Sequence, residues 1–125
     1  MREMVLLINF QDKKKLTNIR SILMTQKILG KQITKGSYAQ PLGALVGIKT
    51  LEKKNAIYEG EELENEMMVF VNLPNSKLDY ILETMKKKGI PRVDHKAVLT
   101  PTNIGWTIPE LYEELAKEHA QFHPN

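Results

Sequence analysis

The chain repeats itself, and the repeat constrains its fold more than any other feature. "EMVLLINFQDKKKLTNIRSILMTQKILGKQI" begins at Glu3 and "EMMVFVNLPNSKLDYILETMKKKGIPRVDHKAV" begins at Glu66. Each copy opens with Glu-Met and a short apolar run. Each run ends in asparagine (Asn9, Asn72) followed by a large apolar residue (Phe10, Leu73). Asp12 in the first copy and Asn75-Ser76 in the second are placed to cap a helix. Apolar residues then recur at spacings of three and four: Leu16, Ile19 and Leu23, then Leu78, Ile81, Leu82 and Met85. That spacing is one face of a helix. Gly30 and Gly89 are the expected helix stops, because glycine takes the left-handed C′ position most readily. A second strand is expected in each copy, within "GKQITKG" and "RVDHKAVLT".

Strand–helix–strand, twice, predicts an α+β fold of the ferredoxin-like split βαβ type. That plan is a four-stranded antiparallel sheet with two helices on one face, and here a C-terminal helix is added. A small doubly wound parallel sheet is the structural alternative. "MMVFVNL" is apolar on both faces, as a central strand requires. The organisation expected is a single domain, 1–125. It divides into a first half-repeat at 3–36, a connecting segment at 37–65, a second half-repeat at 66–100 and a C-terminal helix at 107–122.

The connecting segment holds "SYAQPLGALVGIKT" and the acidic run "EELENE". A connection this long inside a small domain is uncommon. Pro41 is placed to open a short helix, on which Gly43 and Gly47 would share a smooth face for another backbone. The segment reads as a turn-rich apolar plug over a sheet edge, or as a ligand loop or subunit contact. "EELENE" reads as a solvated helical turn leading into the third strand. In the C-terminal helix, Thr107 followed by Glu110 is a capping-box pattern, with Trp106 and Leu111 at the positions of a hydrophobic staple. Leu111, Leu115, His119 and Phe122, joined by Tyr112, form a stripe. The residues before it, Thr100, Thr102 and Asn103, are either turn residues or the rim of a polar notch at the strand's end.

Hydrophobic residues make up 42% and charged residues 26%, which suits a globular domain. No apolar run has the length of a membrane span, no secretory h-region opens the chain, and there is no cysteine. The expected location is the cytoplasm. The net charge of +3 is uneven: residues 1–62 hold eleven Lys/Arg against six Asp/Glu, and residues 63–125 hold seven against nine. Such a bias reads first as a solvated surface, and second as an attraction for phosphate or an acidic partner.

The chemical signatures are absent. The sequence contains neither G-x-G-x-x-G nor a Walker A string, and no G-x-S-x-G elbow. His119 and His123, four apart on a helix, are two ligands where a zinc site needs three or four. His95 reads as a partly exposed strand residue. The third strand has one aromatic, Phe70, and lacks the basic-glycine lead of RNA-reading strands. No cofactor, metal or catalytic residue is therefore expected, and the reading leans away from an enzyme.

"INFQDKKKL", "ENEMMVFVNLPNSKLDYILETMKKKGI" and above all "HKAVLTPTNIGWTIPELYEELAKEH" resemble an uncharacterised bacterial domain-of-unknown-function family (number 3783). The resemblance runs from about Glu61 to His119. It implies a small cytoplasmic bacterial α+β protein and carries over no activity, cofactor or catalytic residue.

The function expected is a non-enzymatic small-ligand or protein-binding regulatory module. Its candidate ligand-binding residues are Thr100, Thr102, Asn103, Trp106, Gly43 and Gly47. Expected partners are a further copy of the chain (dimer or trimer) and an unknown small ligand or protein. Neither a membrane nor specific nucleic-acid binding is expected. One version resembles the PII signalling plan, on topology alone. The alternatives are an enzyme with a polar site at "LTPTN", completed by His95 or by a residue from the other half, and a weak nucleic-acid accessory protein.

Overall fold

The computed structural model describes residues 1–48 and 56–122, the side chains of 120–122 excepted. Phe122's side chain and all of His123 thus lie outside the described residues. The elements are β1 (Met4–Ile8), α1 (Lys13–Thr25), β2 (Leu29–Ile33), a 3-10 turn (Lys35–Ser37), α2 (Leu42–Leu45), β3 (Met67–Val71), α3 (Asn75–Lys87), β4 (His95–Val98) and α4 (Ile108–Phe122).

The strands form one mixed sheet in the order β2-β1-β3-β4. β1 pairs parallel with β2 and β3 parallel with β4, while the two central strands run antiparallel. This corrects the expected antiparallel ferredoxin-like sheet. The split plan requires β3 to lie between β1 and β2. Here each helix returns its chain to the strand beside the one it left, so each repeat is an unsplit βαβ unit. The antiparallel pairing of β1 with β3 joins the units back to back. The same strand order removes the topological basis of the PII likeness.

The reason lies in what must be buried. Every residue of β1 and of β3 is buried, so both faces of the central sheet need a cover. On one face Val5, Leu7, Met68 and Phe70 meet Ile19 and Leu23 of α1 and Ile81 and Met85 of α3. On the other, Met4, Leu6, Ile8, Met67, Val69 and Val71 meet Tyr38, Leu42 and Leu45 of the connecting segment, with Ile108 and Leu111 of α4. Burying each such side chain contributes about 2 kcal/mol. The connecting segment therefore covers a face of the sheet, where the plug reading had it over an edge. Phe70 is 3% exposed under the helix layer, out of reach of a nucleobase.

The repeat is visible in the contacts. Asn9 and Asn72 both take left-handed backbone (φ 59° and 57°), which ends each central strand. The Asn9 side chain donates to Leu63 O at 2.8 Å and that of Asn72 to Met1 O at 2.6 Å. Each ties the end of one central strand to the chain entering the other. Lys15 pairs with Glu66, and Lys77 with Glu3 at 2.5 Å, so each helix is pinned to the start of the other unit's strand. Both helices close with the same pair of carbonyl bonds, Ile28 N–H to Leu23 O and Ile90 N–H to Met85 O, each at 3.0 Å. This is the Schellman arrangement.

Two expected helix boundaries change. Lys27, not Gly30, takes the left-handed position after α1 (φ 57°), matching Gly89 (φ 67°) after α3. Gly30 lies within β2 opposite Val5, where an added Cβ would stand 3.0 Å from Leu23 Cδ1, so the strand and its helix pack closely there. Asp12 caps α1 as expected, accepting from the Lys14 and Lys15 amides. α3 begins at Asn75 behind Pro74 and has no side-chain cap, so Asn75 and Ser76 are inside the helix. Residues 61–66 hold a bend at 64–65 and no helical turn.

Candidate functional site

Among the described residues β4 is an edge strand, bonded to β3 alone. Its Leu99 N–H continues the ladder to Phe70 O at 2.9 Å. Strand alternation then turns the main-chain groups of Lys96 and Val98 to the open side. There Asn103 enters. Its Nδ2 donates to Val98 O at 3.0 Å, and its Oδ1 accepts from the Thr100 N–H at 2.9 Å. The Asn103 N–H in turn reaches the Thr100 hydroxyl at 3.3 Å. Asn103 is 7% exposed, so its amide is committed to the turn, while Thr100 and Thr102 face solvent.

The backbone beyond the turn docks on the connecting segment. Leu42 N–H donates to Trp106 O and Gly43 N–H to Ile104 O, both at 2.8 Å. Gly43 is thus buried where two backbones approach, as a residue without a side chain permits. Gly47 does not share its helical face. α2 ends at Leu45, and Gly47 lies beyond the Val46 cap with φ 89°. Thr100, Thr102, Asn103 and Trp106 are brought together, Gly43 touches the same joint through its N–H, and Gly47 stands apart.

α4 starts as the sequence says. Glu110 accepts from the Thr107 N–H (3.2 Å) and hydroxyl (2.8 Å), and the Glu110 N–H reaches Thr107 Oγ1 at 3.4 Å. Trp106 and Leu111 pack on one apolar cluster. Between this helix and β4 runs a groove of about 360 Å³, lined by Thr100, Thr102, Asn103 and Trp106, with Lys96 at its strand side and Glu114 and Glu118 at its helix side. From the sequence, the glutamates of this helix (Glu110, Glu113, Glu114, Glu118) read as spread around its circumference, and Glu114 and Glu118 are assigned to no site. Their i, i+4 spacing on a capped helix was the available signal.

His95 is the larger surprise. It is 6% exposed, where a partly exposed residue was expected. Its ring stacks on Tyr112 with centroids 4.7 Å apart, and His119 lies 5.9 Å away. Its Nδ1 is buried without a hydrogen-bond partner among the described residues. Burial, then the neighbouring His119, hold the imidazole below its ordinary range against a weaker pull from Asp94. His95 therefore belongs to the β4–α4 packing. Tyr38 is likewise buried, and its hydroxyl donates to Glu62 at 2.7 Å. Burial first, and that carboxylate second, push the phenol upward.

A polar cleft of about 310 Å³ lies at the other end of β4 and includes Asp12, Glu66 and Asp94. All three are occupied: Asp12 caps α1, Glu66 pairs with Lys15, and Asp94 pairs with Arg92. Among the described residues no three acidic or histidine side chains are grouped to hold a metal ion. No described helix is long and apolar enough to cross a membrane.

Residues 66–122 match the family described as Domain of unknown function (DUF3783). No curated protein and no solved structure matches the chain. Through its second βαβ unit, the Asn103 joint and α4, the chain is thus similar to the DUF3783 family.

Proposed function

We propose that the chain is a non-enzymatic binding module that takes a segment of a partner protein in the groove between β4 and α4. The observation that carries this is the groove itself. An unpaired strand edge, the Thr100 and Thr102 hydroxyls, the Trp106 ring and two glutamates converge on one open channel. An exposed strand edge is a template for an added extended segment. The Asn103 amide takes Val98 O and so limits that pairing to a short stretch, leaving side chains to supply most of the recognition. Glu114 and Glu118 favour a segment carrying Lys or Arg, and Val98, 49% exposed, offers an apolar contact.

The experiment is selection of displayed peptides on the full chain, followed by fluorescence anisotropy of the selected sequences. Basic extended peptides are expected. Their affinity should fall about tenfold or more in Glu114→Lys/Glu118→Lys and in Thr102→Arg. Equal affinity for the variants would overturn the assignment. Native mass spectrometry of the same sample tests the occupant: a dimer lost in Thr102→Arg would mean that a second copy fills the groove.

A further inference from the structure

A second concavity lies on the helix side of the sheet, between the last turns of α3 and the start of β4, with a volume of about 360 Å³. Its floor is apolar: Met85 and Ile90 are buried and Leu82 half-buried. Its rim is cationic, formed by Lys86, Arg92 and Lys96, and among the described residues no carboxylate lines it. Asp94 stands close by, but its 3.3 Å pair with Arg92 leaves both side chains more than half exposed (54% and 74%). Such a pair is solvent-screened, and three cations against one carboxylate leave the rim net positive. Lys96 is half-buried and donates to Val93 O at 2.7 Å. Desolvation, with Arg92 next, holds its ammonium below the ordinary lysine range.

Helix-end lysines have an ordinary role in offsetting the helix dipole. Lys87 is in that last turn too, and Arg92 and Lys96 lie beyond the helix, so the dipole does not account for the rim. The first repeat carries a counterpart at the same place. It is a concavity of about 370 Å³ lined by Arg2, Arg20 and Lys27 with the exposed Met24, the buried Ile28 and the half-buried Leu29, and with no carboxylate among the described residues. An apolar surface bordered by three cationic side chains, present in both repeats, is complementary to an anion with a hydrocarbon part.

We infer that the α3–β4 concavity binds a small apolar carboxylate, its head group held by Lys86, Arg92 and Lys96 and its hydrocarbon part on Leu82, Met85 and Ile90. The volume lies at the small end of the range for ligand sites, roughly 300–1,000 Å³. Lys96 borders both this concavity and the peptide groove, but the inference does not rest on the groove reading.

The test is an NMR titration of the ¹⁵N-labelled full chain with octanoate and with 2-naphthoate, and with octanol as the uncharged control. Saturable amide shifts centred on residues 82–96 are expected for at least one carboxylate. Affinity should weaken about threefold or more for octanol, for Lys86→Gln and in raised salt. Lys86 is exposed, so that variant keeps its fold. The inference is overturned by any of three results. Neither carboxylate saturates below roughly 10 mM, or octanol binds as well as octanoate, or the shifts fall away from 82–96.

Discussion

Asn103 decides whether "LTPTN" is a joint or a rim, and Asn103→Ala measures it. The substitution removes two side-chain hydrogen bonds, to Val98 O at 3.0 Å and from the Thr100 N–H at 2.9 Å. If both freed groups were sealed from water, the loss would include a full desolvation penalty, about 1–3 kcal/mol each. They are not sealed, because Val98 and Thr100 are exposed and water can reach them once the amide is gone. The appropriate figure is thus the net value of a hydrogen bond, about 1 kcal/mol each, or about 2 kcal/mol in total. Further effects come from the backbone, since Ile104 O and Trp106 O hold α2 and depend on the same turn. Urea unfolding should show a lower midpoint with an unchanged slope, and the melting temperature should drop by about 8 °C. Thr102→Ala, at an exposed position, should stay within about 0.5 kcal/mol of the parent. If Asn103→Ala unfolds at the parent's midpoint, the side chain does not hold the turn and its amide is free for a ligand.

Lys27→Gly should stabilise the chain by about 1 kcal/mol, and Gly89→Ala should destabilise it by a similar amount, since both positions are left-handed; differential scanning calorimetry reads both. The repeat-related ion pairs should differ by burial: Lys15→Met leaves Glu66 in a site 20% exposed and should cost about 2 kcal/mol or more, whereas Lys77→Met, with both partners near 30%, should cost under about 1 kcal/mol. Equal losses in chemical denaturation would refute the burial argument. His95 is held below its ordinary range in the fold, so the unfolded chain binds more protons there. Its stabilising contribution is complete above the ordinary value of about 6.5 and is lost as pH falls through the lower folded value. Denaturation midpoints should drop below that pH, less steeply in His95→Phe, and parallel curves would contradict the assignment.

Much of the molecule was legible because it depends on neighbours in sequence. The two helices announced themselves by apolar spacing, and the Thr107–Glu110 box by its three-residue interval. The repeated Asn9 and Asn72 marked real strand ends. Lys27 escaped because a nearby glycine, Gly30, offered a cheaper stop. The chain instead placed that glycine where β2 passes close to Leu23. The groove's threonines were legible as a group, but the commitment of Asn103 to its own turn was not.

Sequence by itself determined the repeat, the types of the repeat's strands and helices, the α4 cap and the absence of thiol chemistry, all of which follow from short-range geometry and composition. Only the tertiary structure decided which strand each helix returned to. A βαβ pattern reads the same whether its strands are adjacent or split. What settled it was the need to cover both faces of β1 and β3, a demand met by residues more than thirty positions from one of those strands. Packing of α4 on the sheet likewise buried His95 against Tyr112.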